Sequence, residues 1–547
     1  KMKKLVMIPL EFLLVIALFS LPVFILGRST YLELRHFLHQ DIIEFILSGK
    51  LPLLVTVLVI LISLIVHFSF KPDLRRIAKS RLCHFHKRKY KLGYWGTTVS
   101  NSKKHDYFHR HGFVLFFLFV LTFSLISAYI YHRVSISSRH ALVNIIPFFL
   151  LCGGLAVFHF LISLFYTPYV LEKESRIKRK VHALIPAYNE PVENLEKTFE
   201  SLLHQETLPT SIILVNDGST LFNYNQLSNR FEEIFNQKGI FFKLINQENK
   251  GKRAALVKAY DALGLKESPE NIIFTIDSDT TLDKKAISEG IIPFQDEQVY
   301  SVAGVIASRN MNDNLMTGIM ELILVGHQQL IERATASFFG SVPVNNGPIA
   351  FYRMEVFDLA KEMKFTSETF RGQRIEFSDD SFLTACGLML GRCVAQFSSV
   401  GYTDFPNKFS HLLRQQLRWM RGSFIRGFWR IAFFNVTSFV FWRQLLTWLT
   451  FAITTVLSMQ IIVFFVTQGT FLTLLFMLII PLILNMLLSL SYFAIHREGM
   501  QIKQKFKIFA LFPLAMVWNF FVLRTIRLIG YLTHKQTGWG TREKVEL

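Results

Sequence analysis

Long apolar runs bracket one block in which apolar and polar positions alternate on a much shorter scale. Toward the N-terminus four stretches carry few charges: about Leu5–Leu26, Leu51–Phe70, Phe113–Tyr131 and Ala141–Tyr166. Each is long enough to cross a hydrocarbon layer of about 30 Å, which takes roughly 20 helical residues. Toward the C-terminus, Phe441–Val466 and Phe471–Ile495 read the same way. The following stretch, Ile508–Leu532, is also apolar but includes Pro513, Asn519, Arg524 and Arg527. An Arg at the bilayer centre costs about 2.5–3.5 kcal/mol on insertion scales. This stretch is therefore expected to lie at the interface or form a re-entrant hairpin, without spanning.

From about Ile177 to Tyr402 the period shortens. Strand candidates are Val181–Ala187, Ser211–Asn216, Phe241–Ile245, Asn271–Ile276 and Ser301–Ala307, with helices between them such as Val192–His204 and Lys252–Leu263. This alternation predicts an α/β domain built on a mostly parallel sheet covered by helices. Ligands of such sheets bind at the C-terminal strand ends. Four regions follow: a membrane region at 1–175, a soluble domain at 176–405, amphipathic interface helices at 406–440, and 441–547. The last holds two membrane helices, the interfacial segment and a tail.

Charge sets the orientation. The net charge of +20 over 547 residues is concentrated in Lys71–His111, where Arg75, Arg76, Lys79, Arg81, Lys87, Arg88, Lys89 and Lys91 face only Asp73 and Asp106. Between apolar spans, such a segment marks the cytoplasmic side and favours anionic lipid headgroups. The flanking spans account for the charge, so no nucleic-acid partner is expected. Lys1, Lys3 and Lys4 precede the first span without a small-residue cleavage site after Leu26, which reads as an uncleaved span with the N-terminus inside. Four crossings then return the chain to the cytoplasm at Glu172–Lys180. The four cysteines, Cys83, Cys152, Cys386 and Cys393, imply no disulfide framework. Cys83-His84-Phe85-His86 lacks a second pair at finger spacing and reads as a solvated basic stretch.

Polar clusters fall at the predicted strand ends. Pro186-Ala187-Tyr188-Asn189-Glu190 follows the first, Asn216-Asp217-Gly218-Ser219 the second and Asp277-Ser278-Asp279 the fourth. Two carboxylates at i and i+2 off a buried strand can hold a hard divalent cation against a diphosphate. An isolated Asp-x-Asp is more often a polar turn, and the convergence of three clusters on one edge argues against that here. Asp217 can accept from a base or ribose, and Gly218 permits the close turn beside it. Lys252 and Arg253 open a helix, an arrangement suited to phosphate or simply to a solvated helix start. Asp379-Asp380 precede the apolar stretch Phe382–Leu390; one can cap the helix while the other acts as a general base. In Gln415-Gln416-Leu417-Arg418-Trp419, residues 415, 418 and 419 share one helical face. Arg can grip pyrophosphate and an indole can stack on a sugar; a helix on the bilayer surface would look alike.

In this order Asp217-Gly218, Asp277-Ser278-Asp279, Asp379-Asp380 and Gln415-x-x-Arg418-Trp419 resemble the processive family-two glycosyltransferases, the membrane synthases of cellulose, chitin and hyaluronan. The similarity looks closest to bacterial hyaluronan synthases. Asn249-Lys250-Gly251-Lys252-Arg253, Glu332-Arg333-Ala334, Gly347-Pro348, Tyr352-Arg353 and Gly538-Trp539-Gly540-Thr541-Arg542 add to it. The resemblance implies a GT-A-like domain between transmembrane helices, in a bacterial inner (plasma) membrane, with the catalytic domain cytoplasmic. It implies Asp217 on the uridine and Lys252 on uracil or phosphates, beside Asp277. Asp279, helped by Asp277, would hold Mg²⁺ or Mn²⁺ on the UDP diphosphate. Asp380 would be the catalytic base. Gln415, Arg418 and Trp419 would shape the donor and acceptor site, with Gly347 and Pro348 on the acceptor side. Trp539 and Arg542 would close over the nucleotide. Asn216 stands where such synthases often have Asp, and Asn345-Asn346 precede Gly347 near where hyaluronan synthases often carry a Cys.

The implied reaction is inverting, processive transfer from UDP-sugar donors, most directly UDP-GlcNAc and UDP-GlcA, to a growing polysaccharide that is then secreted. The alternatives are a chitin, cellulose or poly-N-acetylglucosamine synthase, a transferase loading a lipid carrier, or a nucleotide-sugar-binding membrane protein without turnover.

Overall fold

Most apolar runs of the central block fold as strands buried on both faces, as strands covered by helices on either side must be; the run at Phe241–Gln247, on the sheet edge, stays partly exposed. The structure, a computed structural model, describes residues 50–69, 146–171, 179–266, 268–434, 438–467, 471–495 and 497–536. The expected spans Leu5–Leu26 and Phe113–Tyr131, the basic segment Lys71–His111, and Trp539 and Arg542 lie outside the described residues.

Two apolar helices, α1 (Lys50–Ser69) and α2 (Ile146–Phe165), precede the domain. Then come β1 (Lys180–Ala187), α3 (Val192–Leu203), β2 (Ser211–Asp217), β3 (Phe241–Gln247), α4 (Lys252–Ala262), β4 (Asn271–Thr275), β5 (Thr281–Leu282), β6 (Val299–Ser308) and β7 (Ala350–Arg353). A short hairpin, β8 (Thr369–Phe370) and β9 (Gln373–Arg374), leads into α5 (Asp379–Leu390) and β10 (Arg392–Thr403). The main sheet runs β3-β2-β1-β4-β7-β6-β10-β5. Pairings β3-β2-β1-β4 and β6-β10 are parallel; β7 is antiparallel to both its neighbours, and β5 to β10. This is a GT-A-like α/β arrangement. Strand β7 departs from the simple alternation because Gly347-Pro348 turn the chain back after a long helical excursion at 315–338.

Alternation along the strands divides the core. On β1, Leu184 joins Ile213, Ile273 and Tyr352 on one side of the sheet, while Ala183 and Ile185 join Ile212, Leu214 and Phe274 on the other. On α3 the buried set Leu195, Thr198, Phe199 and Leu202 keeps helical spacing, which places that helix on the second face.

Beyond the domain lie α6 (Phe409–Phe433), α7 (Phe439–Thr467), α8 (Phe471–Ser489), α9 (Ile502–Phe509) and α10 (Phe512–Leu532), the last with a π-helical turn at Trp518–Leu523. Among the described residues, Phe439–Gln460 and Phe512–Leu532 are long and apolar enough to cross a membrane. Helix α1 leaves Leu53, Leu54, Val57, Leu58, Leu61, Ile62 and Ile65 exposed, an apolar surface larger than water-soluble chains usually present. Helix α6 does not simply float beside the domain. Its face at Gly422, Arg426 and Trp429 is buried against α5 and the loop before it.

Candidate active site

The three strand-end clusters do converge, on a cleft of about 700 Å³, within the usual range for small-molecule sites. Its lining includes Tyr188, Asn189, Asp217, Lys252, Asp277 and Asp279. Asn189 adopts a left-handed backbone (φ +52°), and its side-chain oxygen accepts the N–H groups of Thr220 (2.8 Å) and Leu221 (3.0 Å), bracing the first loop on the second.

Asp217, the last residue of β2, is buried. Its carboxylate accepts from the backbone N–H of Lys250 (2.9 Å) and Gly251 (2.9 Å) and from Gln247 Nε2 (2.7 Å). It therefore anchors the loop that starts α4 and so fixes where Lys252 points. Gly218 beside it has φ +74°, and a Cβ there would stand 2.6 Å from the Asn249 nitrogen, so no side chain fits. Asn216 also gains a reason. Its amide nitrogen donates to Asn246 Oδ1 (2.9 Å), a bond a carboxylate could not make.

Lys252 Nζ lies 2.6 Å from Asp277 Oδ1 and 3.4 Å from Asp379 Oδ2. Burial opposes its charge, but Asp277, Asp379 and Asp380 outweigh burial and hold its pKa above the ordinary lysine value. Burial first, then the like charge of Asp277, pushes Asp279 up to about 6. Asp279 Oδ2 accepts from Thr403 Oγ1 at 3.2 Å, and the Arg309 guanidinium, which also lines the cleft, opposes part of the rise.

Asp380 and Asp379 open α5. Asp380 Oδ1 accepts the Ser381 N–H (2.6 Å). Burial, then neighbouring Asp379, raises the Asp380 pKa. Asp379 also suffers burial, but Lys252 and Arg253 overcome it and keep Asp379 below the usual carboxylate range. The pair is thus split into one firmly ionised acid and one more basic carboxylate, the usual way in which adjacent acids acquire different tasks. Asp380, Lys252 and the Asp277 end of the cleft meet at Gly347. A Cβ on Gly347 would lie 3.5 Å from Lys252 Nζ, 3.9 Å from Asp277 Oδ2 and 3.9 Å from Asp380 Cβ. For a single methyl group these are ordinary contacts, so Gly347→Ala should fold. Its side chain should fill the gap and weaken donor affinity roughly tenfold or more, equivalent to about 1.4 kcal/mol. Calorimetry of UDP-sugar binding checks this, with unchanged affinity as the contrary result.

Other expectations fare differently. Arg253 does not face the cleft. It is buried, donating to Glu368 Oε2 (2.8 Å) and to the carbonyls of Phe365 (2.9 Å) and Phe377 (2.6 Å). Its place in the motif beside Lys252 suggested phosphate; helix geometry turns the two side chains apart. Gln415 and Arg418 are half-buried and Trp419 is 40% exposed, on the face of α6 that includes Gly422. Of this helix, His411 lines the cleft, one turn before Gln415. Asn346 donates to the Gly304 carbonyl and to Gln329 Oε1, both at 2.8 Å, so it ties the Gly347-Pro348 loop to the helix before it. The sequence reading missed Arg309 and Asp404, whose side chains pair at 3.0 and 3.1 Å along the cleft, because neither sits in a recognisable motif.

The acid set suits a divalent cation. Asp277 and Asp279 bring two carboxylates to one end of the cleft, where burial and then the like charge of Asp277 disfavour the ionised Asp279, and hard oxygen ligands are what Mg²⁺ or Mn²⁺ take. Among the described residues no three His, Cys, Asp or Glu side chains form a cage, so oxygens of a bound diphosphate would have to complete the shell.

Comparison with known proteins gives the family. Residues 183–359 match the family model "Glycosyl transferase family 2", and residues 272–522 match "Glycosyl transferase family group 2". A hyaluronan synthase of Streptococcus pyogenes is 30% identical over 397 residues, covering 71% of this chain and 88% of that protein. An N-acetylglucosaminyltransferase of Azorhizobium caulinodans is 30% identical over 251 residues, 45% of this chain and 60% of that one. Among solved structures, a mannosyltransferase of Pyrobaculum calidifontis in complex with GDP-Man and Mn²⁺ aligns at 15% identity and TM-score 0.41, over 71% of this chain and all of that one. At 30% identity to a synthase covered almost end to end, with two family models matched, this chain belongs to the family-two glycosyltransferases and is a glycosyltransferase.

Proposed function

We propose that this glycosyltransferase polymerises a polysaccharide, hyaluronan first of all, from UDP-GlcNAc and UDP-GlcA at the cytoplasmic face of a membrane. The observation that carries the reading is the meeting of Lys252, Asp277 and Asp380 around Gly347. It puts a diphosphate-binding lysine and a basic carboxylate on either side of a glycine whose missing side chain leaves the gap between them clear.

In this mechanism the Asp380 carboxylate takes the proton of the acceptor hydroxyl as that oxygen attacks the anomeric carbon. Lys252 stays cationic beside Asp277 and Asp379 and offsets charge on the departing UDP. Asp279 and Asp277 would hold Mg²⁺ or Mn²⁺, which supplies Lewis-acid stabilisation of the diphosphate. Asp217 fixes the loop before α4, so that Lys252 enters the reaction already aimed. Gln415, Arg418 and Trp419 approach from α6 on the acceptor side.

A second reading has its own support, since one relative is an N-acetylglucosaminyltransferase. It uses UDP-GlcNAc alone. UDP release measured donor by donor separates the readings: the hyaluronan reading expects sustained release only with both donors. UDP binding with no release from any donor contradicts turnover altogether.

The membrane placement makes a separate prediction. Length and apolarity alone would let Phe512–Leu532 cross, yet both its ends touch the soluble domain or α6 packed on it. At one end Lys507 reaches Asn312 (3.0 Å), and Leu511 packs at Gly318. At the other, Arg421 donates to Thr533 (3.1 Å) and Gln536 (2.6 Å), and His534 packs on Phe370 of the β8–β9 hairpin. Arg524 donates to Thr454 (2.9 Å) and Thr455 (3.2 Å), within the apolar stretch of α7, which partly satisfies its charge there. The contacts at the two ends support an in-plane or re-entrant segment with the C-terminal tail cytoplasmic, where Trp539 and Arg542 could reach the nucleotide. A single Cys inserted after Glu543 of a Cys-free variant should resist a membrane-impermeant maleimide in intact cells. Labelling from outside contradicts the topology and the closing role together.

A further inference from the structure

Two guanidiniums and one carboxylate lie buried behind the acid pair. Glu368, immediately before the β8–β9 hairpin, accepts from Arg426 Nη1 at Oε1 (3.0 Å) and from Arg426 Nη2 (3.1 Å) and Arg253 Nη1 (2.8 Å) at Oε2. All three side chains are at most 4% exposed. Arg426 also stacks over Trp429 (4.3 Å), and both guanidiniums lie over Phe382 (5.0 and 5.3 Å).

Arg253 also reaches the backbone that delivers Asp380. Its Nη2 donates to the carbonyls of Phe377 (2.6 Å) and Ser378 (3.4 Å). Ser378 has a left-handed backbone (φ +61°), an unfavourable conformation for a residue with a side chain, so the turn needs outside support. Ser381 Oγ, 3.4 Å from Arg426 Nε, donates in turn to the Ser378 carbonyl (3.1 Å). Helix α6 closes the turn from outside: a Cβ on Gly422 would fall 1.8 Å from Ser378 Oγ.

We propose that Glu368 is a positioning residue for glycosyl transfer: by holding Arg253 and Arg426 together, it fixes the Phe377–Ser381 turn and thereby the direction of the Asp380 carboxylate. This rests on the reading of Asp380 as the base. Packing alone does not call for the triad. Ile375, Phe377 and Ile425 already form an apolar cluster there, and burying three charges commonly costs more than the apolar side chains that could replace them. What the charges add is directional hold on two carbonyls next to the reacting acid. Arg253 adjoins Lys252 in the chain, so one helix start grips the diphosphate side with one residue and the base turn with the next. Arg426 brings in α6, which also carries Gln415, Arg418 and Trp419. The triad therefore registers donor side, base and acceptor side against one another.

The test uses the full chain in detergent, with Glu368→Gln, Arg426→Lys and the double variant Glu368→Gln/Arg426→Gln. Glu368→Gln keeps the shape but loses the charge; Arg426→Lys keeps the charge but loses the fork. Each single variant should lower kcat on the order of 10- to 100-fold, the scale of a misplacement near 1 Å, with donor KM and metal-dependent UDP affinity nearly unchanged. The double variant returns the cluster to its original net charge and should recover part of the kcat lost in Glu368→Gln. A merely structural role would move stability and UDP affinity together and show no recovery. If Asp380→Asn transfers sugar at the parent rate, the base is misassigned and the proposal falls with it. If Asp380→Asn is inactive while both single variants turn over within about twofold of the parent, or their KM rises as kcat falls, Asp380 stands and the positioning role of Glu368 is overturned.

Discussion

Replacing Asp380 with Asn should lower sugar transfer by about 10²- to 10⁴-fold, the range a positioned base contributes, and leave UDP affinity close to that of the parent. Asn preserves the shape and the Ser381 N–H contact but cannot accept the acceptor proton. The neighbouring acid should behave differently. Asp379 is 3.4 Å from Lys252, so Asp379→Asn should disturb donor binding as well as rate. The pH profile gives the sign. Asp380 must be unprotonated to act, and burial together with Asp379 raises its pKa above the ordinary carboxylate range. Turnover should thus fall as pH drops through that raised value, and the acid limb should move to lower pH in Asp379→Asn, which removes the like charge. Parent-level polymerisation by Asp380→Asn beside a dead Asp379→Asn would exchange the two roles.

The second large effect concerns the cation. Asp279→Asn should abolish the strengthening of UDP binding by Mn²⁺ or Mg²⁺. Loss of partners one shell further out typically costs 10- to 100-fold in metal affinity, and a direct carboxylate ligand should cost at least about 100-fold. Asn can still pair with Thr403 at the position where Asp279 Oδ2 lies 3.2 Å away, so the fold around it should survive. Calorimetry with and without the ion reads the difference. The same metal dependence in parent and variant would remove Asp279 from the ion site.

Much of this was legible in the chain because the signals were local. Strands β1 to β4 are apolar runs ended by polar clusters, and each begins within a residue or two of where the alternation places it. Strand β7 was not legible: four residues long and antiparallel, it takes its place from partners on β4 and β6, not from a pattern of its own. The Asp-x-Asp, the Asp pair and Lys252 declared themselves by residue type and spacing. Arg253 misled for the same reason, since a cation next to Lys252 at a helix start looks like a phosphate ligand until its partner is seen. That partner, Glu368, is 115 positions away beside a hairpin of two-residue strands, where no periodicity marks it. Asp217 is intermediate. Its motif identified the strand end, but only the fold shows its carboxylate spent on the backbone of Lys250 and Gly251.

The most direct test of the central reading is polymer formation by the purified full-length protein with Mg²⁺ or Mn²⁺ and radiolabelled donors. The account expects high-mass product when UDP-GlcNAc and UDP-GlcA are supplied together, and none from either donor alone. High-mass product from UDP-GlcNAc alone would contradict it and favour an N-acetylglucosamine polymer instead.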